Sequence, residues 1–152
     1  MLVNTASWSE RLSLIMSVLA GLLVSIWLSP WDTYFWGNFA IFWIPQLVIL
    51  VVLLFFVTRQ AVLTGIAAVL ALYLALFSAW ASSSSSHDGL TWLGYLFSLP
   101  GAGLGAIVGA IYLEGQTYRR AFTYAAIAAM FTFVGLAINQ AVMCSTVMYC
   151  GS

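Results

Sequence analysis

Long apolar runs separated by short polar links make up most of the sequence. Five runs have about the length of 20 apolar residues that a helix needs to cross a bilayer. They are Leu12–Leu28, Asn38–Val57, Ala61–Ala81, Leu90–Leu113 and Ala121–Val142, and none contains Asp, Glu, Lys, Arg or His. Each run is apolar on all sides, which favours a lipid-exposed helix over an amphipathic one. The pattern predicts an all-α bundle of about five transmembrane helices, a single membrane domain over residues 1–152.

The links between these runs are too short to hold a soluble domain. They are Ser29–Gly37, Thr58–Gln60, Ser82–Gly89 and Glu114–Arg120. Short links make consecutive helices antiparallel neighbours. We therefore expect an up-and-down bundle with all of its mass in or near the membrane.

The composition supports this interpretation and excludes one class of partner. The chain is 64% hydrophobic and only 5% charged, whereas soluble domains have roughly 25% charged residues. Lys is absent and the formal net charge is zero. Nucleic-acid binding requires a basic face, so we expect no nucleic-acid partner, and the lipid bilayer is the first partner that the sequence predicts.

The arginines predict the orientation of the bundle. Arg11 precedes the first run, Arg59 lies between the second and third, and Arg119 and Arg120 lie between the fourth and fifth. Five spans place all four on one side, which the positive-inside rule assigns to the cytoplasm. We expect the N-terminus inside and the C-terminus outside, in what we take to be a bacterial inner membrane.

Two cysteines follow the last span, on the predicted outer side. Cys144 and Cys150 are six positions apart, and an oxidising compartment would permit a disulfide between them. The alternative is a pair of free thiols in the C-terminal tail.

Small residues recur every four positions in several runs, which places each set on one helix face. Such faces let helix backbones approach closely in a membrane. The candidate packing residues are Gly101, Gly105 and Gly109 in the fourth run, Ala67, Ala71 and Ala75 in the third, and Ser17 and Gly21 in the first. The glycine stripe predicts that the fourth helix is central, packed within the chain or against another copy.

The second run is bulky throughout, and we expect its helix at the edge of the bundle or against a partner.

Polar and aromatic residues near the outer side are the candidate binding residues. Gln46 follows a proline in the second run, Pro100 interrupts the fourth, and Asn139 lies near the end of the fifth. Interrupted helices of this kind line solute sites in transporters, but amides and prolines also serve helix packing alone.

The outer rim is rich in aromatic rings, and its candidate contacts are Trp31, Trp36, Trp43 and Trp92. An interfacial aromatic belt explains such a rim; a protein-binding rim is the alternative.

Catalytic chemistry finds no support in the residue pattern. The link Ser82–Gly89 contains Ser, His and Asp, but neighbours in a serine tract lack the geometry of a hydrolase triad. His87 and Asp88 supply too few ligands for a metal site. We therefore expect a non-enzymatic protein with no cofactor and no metal.

Two resemblances bear on function. The run from Trp27 to Trp31 resembles the Ser-Pro-Trp motif of small bacterial SPW-repeat membrane proteins, but it covers one helix end and we take no function from it. In size and architecture the chain is similar to small inner-membrane proteins that act as toxin immunity proteins or accessory subunits. This resemblance implies binding within the bilayer to another membrane protein or a membrane-inserting toxin. A small oligomeric channel or transporter, lined by Pro100, the glycine stripe, Gln46 and Asn139, is the rival hypothesis.

Overall fold

Five helices account for the fold. The computed structural model describes residues 7–57, 59–83, 91–118 and 120–146. Its helices are Trp8–Leu28 (α1), Phe35–Leu54 (α2), Gln60–Ser83 (α3), Thr91–Glu114 (α4) and Ala121–Thr146 (α5). All five are long and apolar enough to cross a membrane. The predicted all-α bundle with five spans is therefore confirmed.

Polar residues extend some helices beyond the apolar runs. Helix α1 begins at Trp8 because the Ser7 side chain accepts a hydrogen bond from the Glu10 backbone N–H at 3.4 Å, which is one of the two bonds of a capping box. Helix α5 continues to Thr146, whose hydroxyl donates to the Val142 carbonyl at 2.7 Å. Hydropathy alone makes these two spans too short, at the start of α1 and at the end of α5, because capped and hydroxyl-bonded turns are helical without being apolar.

Helix α3 is the centre of the bundle, and it packs against each of the other four helices. Ile66, Leu70 and Leu74 on this helix are completely buried. The prediction that α4 is central is wrong: α4 packs most extensively against α5 and only slightly against α3. Small residues on several faces of α3 admit neighbours on more than one side, whereas the stripe on α4 lies against one close neighbour.

Helix α2 lies at the edge, as its bulky sequence predicts. Its buried residues are Phe42, Gln46, Leu50 and Leu53, which form a single row along the helix. The other residues of α2 are half-buried or exposed, and its contacts with α1, α3 and α4 are all sparse.

The bundle has two chemically different ends. Helices α1, α3 and α5 begin at one end, which we call the arginine end after Arg11, Arg59 and Arg120. The Arg59 guanidinium lies 4.4 Å from the centre of the Tyr124 ring, a cation–π contact between the α2–α3 link and α5. Which membrane face this end occupies stays a prediction. Arg119 lies outside the described residues.

Candidate functional site

A cluster of hydrogen-bonded polar side chains joins α2, α3, α4 and α5 in the half of the bundle away from the arginine end. We call it the polar cluster; it comprises Gln46, Tyr73, Tyr95, Ser98 and Gln140. The Gln46 amide donates to the Tyr95 hydroxyl at 2.8 Å, and Ser98 donates to the Tyr73 hydroxyl at 2.7 Å. The Tyr73 hydroxyl in turn donates to Gln140 Oε1 at 3.3 Å.

Three members of the polar cluster are buried, Tyr73 and Gln140 are half-buried, and the two tyrosine rings are packed together. Gln46 is 2% exposed, and Tyr95 and Ser98 are completely buried. The Tyr73 and Tyr95 rings stack with centroids 5.6 Å apart. A buried polar group costs free energy unless it is bonded, and here side chains from four helices bond one another. The arrangement holds helices together and leaves these groups paired within the protein.

The two prolines inside helices share one kind of hydrogen bond in the turn before them. Proline removes a backbone donor and disturbs the preceding turn of a helix. In each case the carbonyl three residues before the proline accepts a side-chain donor from a neighbouring helix. The Tyr95 hydroxyl of α4 donates to the Phe42 carbonyl, before Pro45, at 3.3 Å. The Asn139 amide of α5 donates to the Phe97 carbonyl, before Pro100.

Through these contacts Gln46 and Asn139 each bond a neighbouring helix and so contribute to helix packing. The Gln46 amide also donates to the Phe42 carbonyl, at 3.1 Å. Each carbonyl lies in the turn that the proline disturbs, one residue after the carbonyl that loses its backbone donor, and neighbouring helices commonly supply bonds at such turns in membranes. Pro100 itself lies on the exposed surface of α4. The structure therefore brings Gln46 and Asn139 to proline-disturbed turns of α2 and α4, and it does not gather these two residues and Pro100 around one site.

Comparison with known proteins adds no family. No protein-family model, curated protein or solved structure matches the chain.

The glycine stripe of α4 lies against α5 of the same chain. A β-carbon on Gly101 would overlap Asn139 and the Gly135 carbonyl, and one on Gly105 would overlap the Phe131 carbonyl. One on Gly109 would lie 2.8 Å from the Phe131 β-carbon, closer than such atoms approach. The α4 and α5 backbones touch, so this stripe is covered within the monomer.

The other predicted packing residues lie mainly between α1 and α3. A β-carbon on Gly21 would come within 3.5 Å of the Ala71 β-carbon and 3.2 Å of both Gln46 Oε1 and the Trp43 ring. Ala67 and Ala71 are buried, and Ala75 and Ser17 are half-buried. Gly21 thus lies where α1, α2 and α3 meet.

The predicted aromatic rim divides into a buried part and an exposed part. Trp92 packs on Phe42 with ring centroids 4.6 Å apart, and Trp43 is half-buried beside Gly21. Trp31 and Trp36 are instead 82% and 75% exposed. These two belong to a group of rings at the turn from α1 to α2 that we call the aromatic corner. It comprises four exposed rings and two half-buried ones: Trp27, Trp31, Tyr34 and Trp36, with Phe35 and Phe39.

The aromatic corner has a defined structure. The Asp32 carboxylate accepts the Tyr34 backbone N–H at 2.7 Å, which fixes the turn before α2. The Phe35 ring stacks on Trp31 at 4.9 Å and on Phe39 at 6.1 Å between centroids. Trp31, Trp36 and Phe39 therefore pack around the Phe35 ring, while Trp31 and Trp36 stay largely exposed.

Several sequence-predicted residues lie beyond what the structure describes. Cys150, His87 and Asp88 lie outside the described residues, so the disulfide between Cys144 and Cys150 stays a prediction. Cys144 itself lies in α5 with its sulfur 3.6 Å from the Gln140 amide nitrogen. Among the described residues, no three His, Cys, Asp or Glu side chains come together as metal ligands.

Some important residues carry no marked signal in the sequence. Tyr95 and Tyr73 look like further interfacial rings, and Gly65 and Gly135 do not belong to a four-residue glycine repeat. A β-carbon on Gly65 would overlap the Ala125 backbone, which makes Gly65 the close contact between α3 and α5. A pairing of Tyr95 with Gln46 could have been suspected, because a buried amide in a membrane requires a partner.

Proposed function

We propose that this chain is a non-enzymatic inner-membrane protein that binds another membrane protein within the bilayer. An immunity protein against a membrane-inserting toxin is the specific version, and an accessory subunit of a membrane complex is the broader one. In this proposal the arginine end faces the cytoplasm and the aromatic corner faces outward.

The observation that carries the proposal is the exposure of the aromatic corner. Trp27, Trp31, Tyr34 and Trp36 are each at least 72% exposed, although the rings of Trp31 and Trp36 pack on Phe35. Tryptophan and tyrosine dominate the energetics of protein interfaces. Pre-ordered rings lose little conformational entropy when a partner covers them. A partner would therefore gain a large contact area here at low cost.

Helix α2 extends this surface into the membrane. Ile44, Val48 and Val51 are exposed on the side of α2 that faces away from the bundle, and each is at least 42% exposed. Because the corner leads directly into α2, a partner helix could contact rings at the membrane surface and aliphatic side chains below them. The polar cluster is consistent with the same proposal, since its side chains already hydrogen-bond one another and join four helices.

A photo-crosslinking experiment in cells tests the proposal. A benzophenone amino acid replaces Trp36 or Val48, and Leu104 on α4, 66% exposed, is the matched control. We expect the first two positions to give an adduct with one defined membrane protein that also co-purifies in detergent, and Leu104 to give none. For the immunity version, cells that express this chain survive a depolarising toxin that kills cells without it. Lipid or self adducts alone, with no protection of cells, would refute the proposal.

The channel or transporter hypothesis makes the opposite prediction. Purified protein in liposomes would then release a trapped solute, and Gly105 and Gln46 would line the path. The glycine stripe lies against α5 and Gln46 bonds Tyr95 within the monomer, so such a path would have to form between copies. Solute flux that increases with protein density would favour this rival.

A further inference from the structure

A cavity of about 200 Å³ opens at the arginine end between the first turns of α1, α3 and α5. It is distinct from the aromatic corner and from α2. Ser9, Glu10 and Ser13 of α1, Thr64 of α3 and Phe122 of α5 are the lining residues with polar or aromatic groups. The rest of its lining is alanine, which leaves room for a ligand group.

The chemistry of this cavity suits a cation with hydrogen-bond donors. Glu10 is the one ionisable side chain among the lining residues. The Ser13 hydroxyl donates to the Ser9 carbonyl at 2.8 Å and the Thr64 hydroxyl to the Gln60 carbonyl at 3.0 Å. Their protons are used within their own helices, so the oxygens remain as acceptors. The Phe122 ring, 79% exposed, adds a face that attracts cations.

An apolar face leads from the cavity toward the middle of the membrane. Thr64, Ala68, Leu72 and Leu76 follow one another at four-residue spacing on α3, and the last three are exposed. Helix α1 covers α3 on one side, at Ala71, and α5 covers it on the other, at Gly65. From Thr64 to Leu76 the face is about 18 Å long at 1.5 Å per residue. This is close to one leaflet of a hydrocarbon core that is about 30 Å thick.

We propose that the cavity and this face together bind one phospholipid with a primary ammonium headgroup. The ammonium is held by the Glu10 carboxylate and the hydroxyl oxygens, and an acyl chain lies along α3 between α1 and α5. Arg120, which directly precedes α5 and is exposed, supplies a positive charge near the lipid phosphate. The occupant follows from charge complementarity, because the cavity offers acceptors and one negative charge at the level where headgroups lie.

The test measures which lipids the purified protein retains. Protein from vesicles that contain equal amounts of dioleoyl phosphatidylethanolamine, phosphatidylcholine and phosphatidylglycerol is analysed by native mass spectrometry. We expect preferential retention of phosphatidylethanolamine, and about fivefold lower retention in Glu10→Gln, as for one partly exposed charge contact. Gln also serves in a capping box, so this variant keeps the start of α1.

Glu114→Gln is the matched control. Glu114 lies at the same end but lines a separate cavity of about 30 Å³ together with Arg59, so its neutralisation should leave lipid retention unchanged. Leu72→Trp, on the exposed apolar face of α3, should lower retention of phosphatidylethanolamine without changing the residues that contact the headgroup. Equal retention of phosphatidylcholine and phosphatidylethanolamine, or an unchanged preference in Glu10→Gln, would overturn the proposal.

Discussion

Helices α5 and α2 are attached to the bundle in different ways. Between α4 and α5 the backbones touch, and Gly101, Gly105 and Gly135 leave no space for a β-carbon. Helix α2 makes only sparse contacts and is held by one buried row that includes Gln46, bonded to Tyr95 of α4. Apolar side chains gain little by leaving lipid for one another. Close backbone fit therefore secures α5, while polar bonds and ring contacts hold a helix as bulky as α2.

The largest effect on stability is expected at the interface between α4 and α5, where the backbones touch. Gly105→Ala places a β-carbon against the Phe131 carbonyl of α5, and the two helices must move apart to admit it. We expect a loss of about 3 kcal/mol in the free energy of unfolding, as for overpacked cores. SDS titration in mixed micelles measures this loss.

Gly103→Ala is the control on the same helix. The nearest atom to its new β-carbon is Cγ1 of Ile49 at 3.8 Å, an ordinary contact. Alanine also favours a helix by about 1 kcal/mol over glycine, so we expect Gly103→Ala to be neutral or slightly stabilising. Equal losses at both positions would show that the α4–α5 backbone fit is not the stabilising feature.

A smaller effect is expected where polar bonds hold α2. Gln46→Met keeps the size of the side chain but removes its bonds to the Tyr95 hydroxyl and the Phe42 carbonyl. A double-mutant cycle with Tyr95→Phe should give a coupling energy of about 1 kcal/mol, above the mean of about 0.6 kcal/mol for interhelical hydrogen bonds in membranes because both groups are buried. Tyr34→Phe, at a ring that is 72% exposed, is the control for loss of a hydroxyl. A coupling energy near zero would mean that ring packing alone attaches α2.

The sequence predicted the attachment of α5 better than that of α2. Helix length and apolarity follow from the residues themselves, so five spans could be read directly. The stripe of Gly101, Gly105 and Gly109 correctly indicated one close face, but hydropathy does not say which helix covers it. The polar contacts of α2 depend on Tyr95 meeting Gln46 across 49 positions, and only the packed bundle brings them together. The central place of α3 follows from small residues on several faces, which a search for a single stripe overlooks.

A still smaller effect is expected for a polar bond inside the close interface. Asn139→Ala removes the donor to the Phe97 carbonyl but keeps the β-carbon that lies against Gly101. Because backbone fit remains, we expect a loss of about 0.5 kcal/mol, near the mean for membrane hydrogen bonds. The same SDS titration checks it. A loss as large as that of Gly105→Ala would mean that this bond, and not the glycines, secures α5.

The smallest effect on stability is expected on the outer face of α2. Val48 is 53% exposed, and Val48→Ala removes two methyl groups that contact lipid in the isolated protein. We expect the free energy of unfolding to change by less than about 0.5 kcal/mol, as for surface substitutions, while capture of the proposed partner falls. A loss of stability above about 1 kcal/mol would instead place this face inside an interface between copies of the chain. The free energy of unfolding and the capture of the partner together distinguish a surface that binds a partner from one that stabilises the bundle itself.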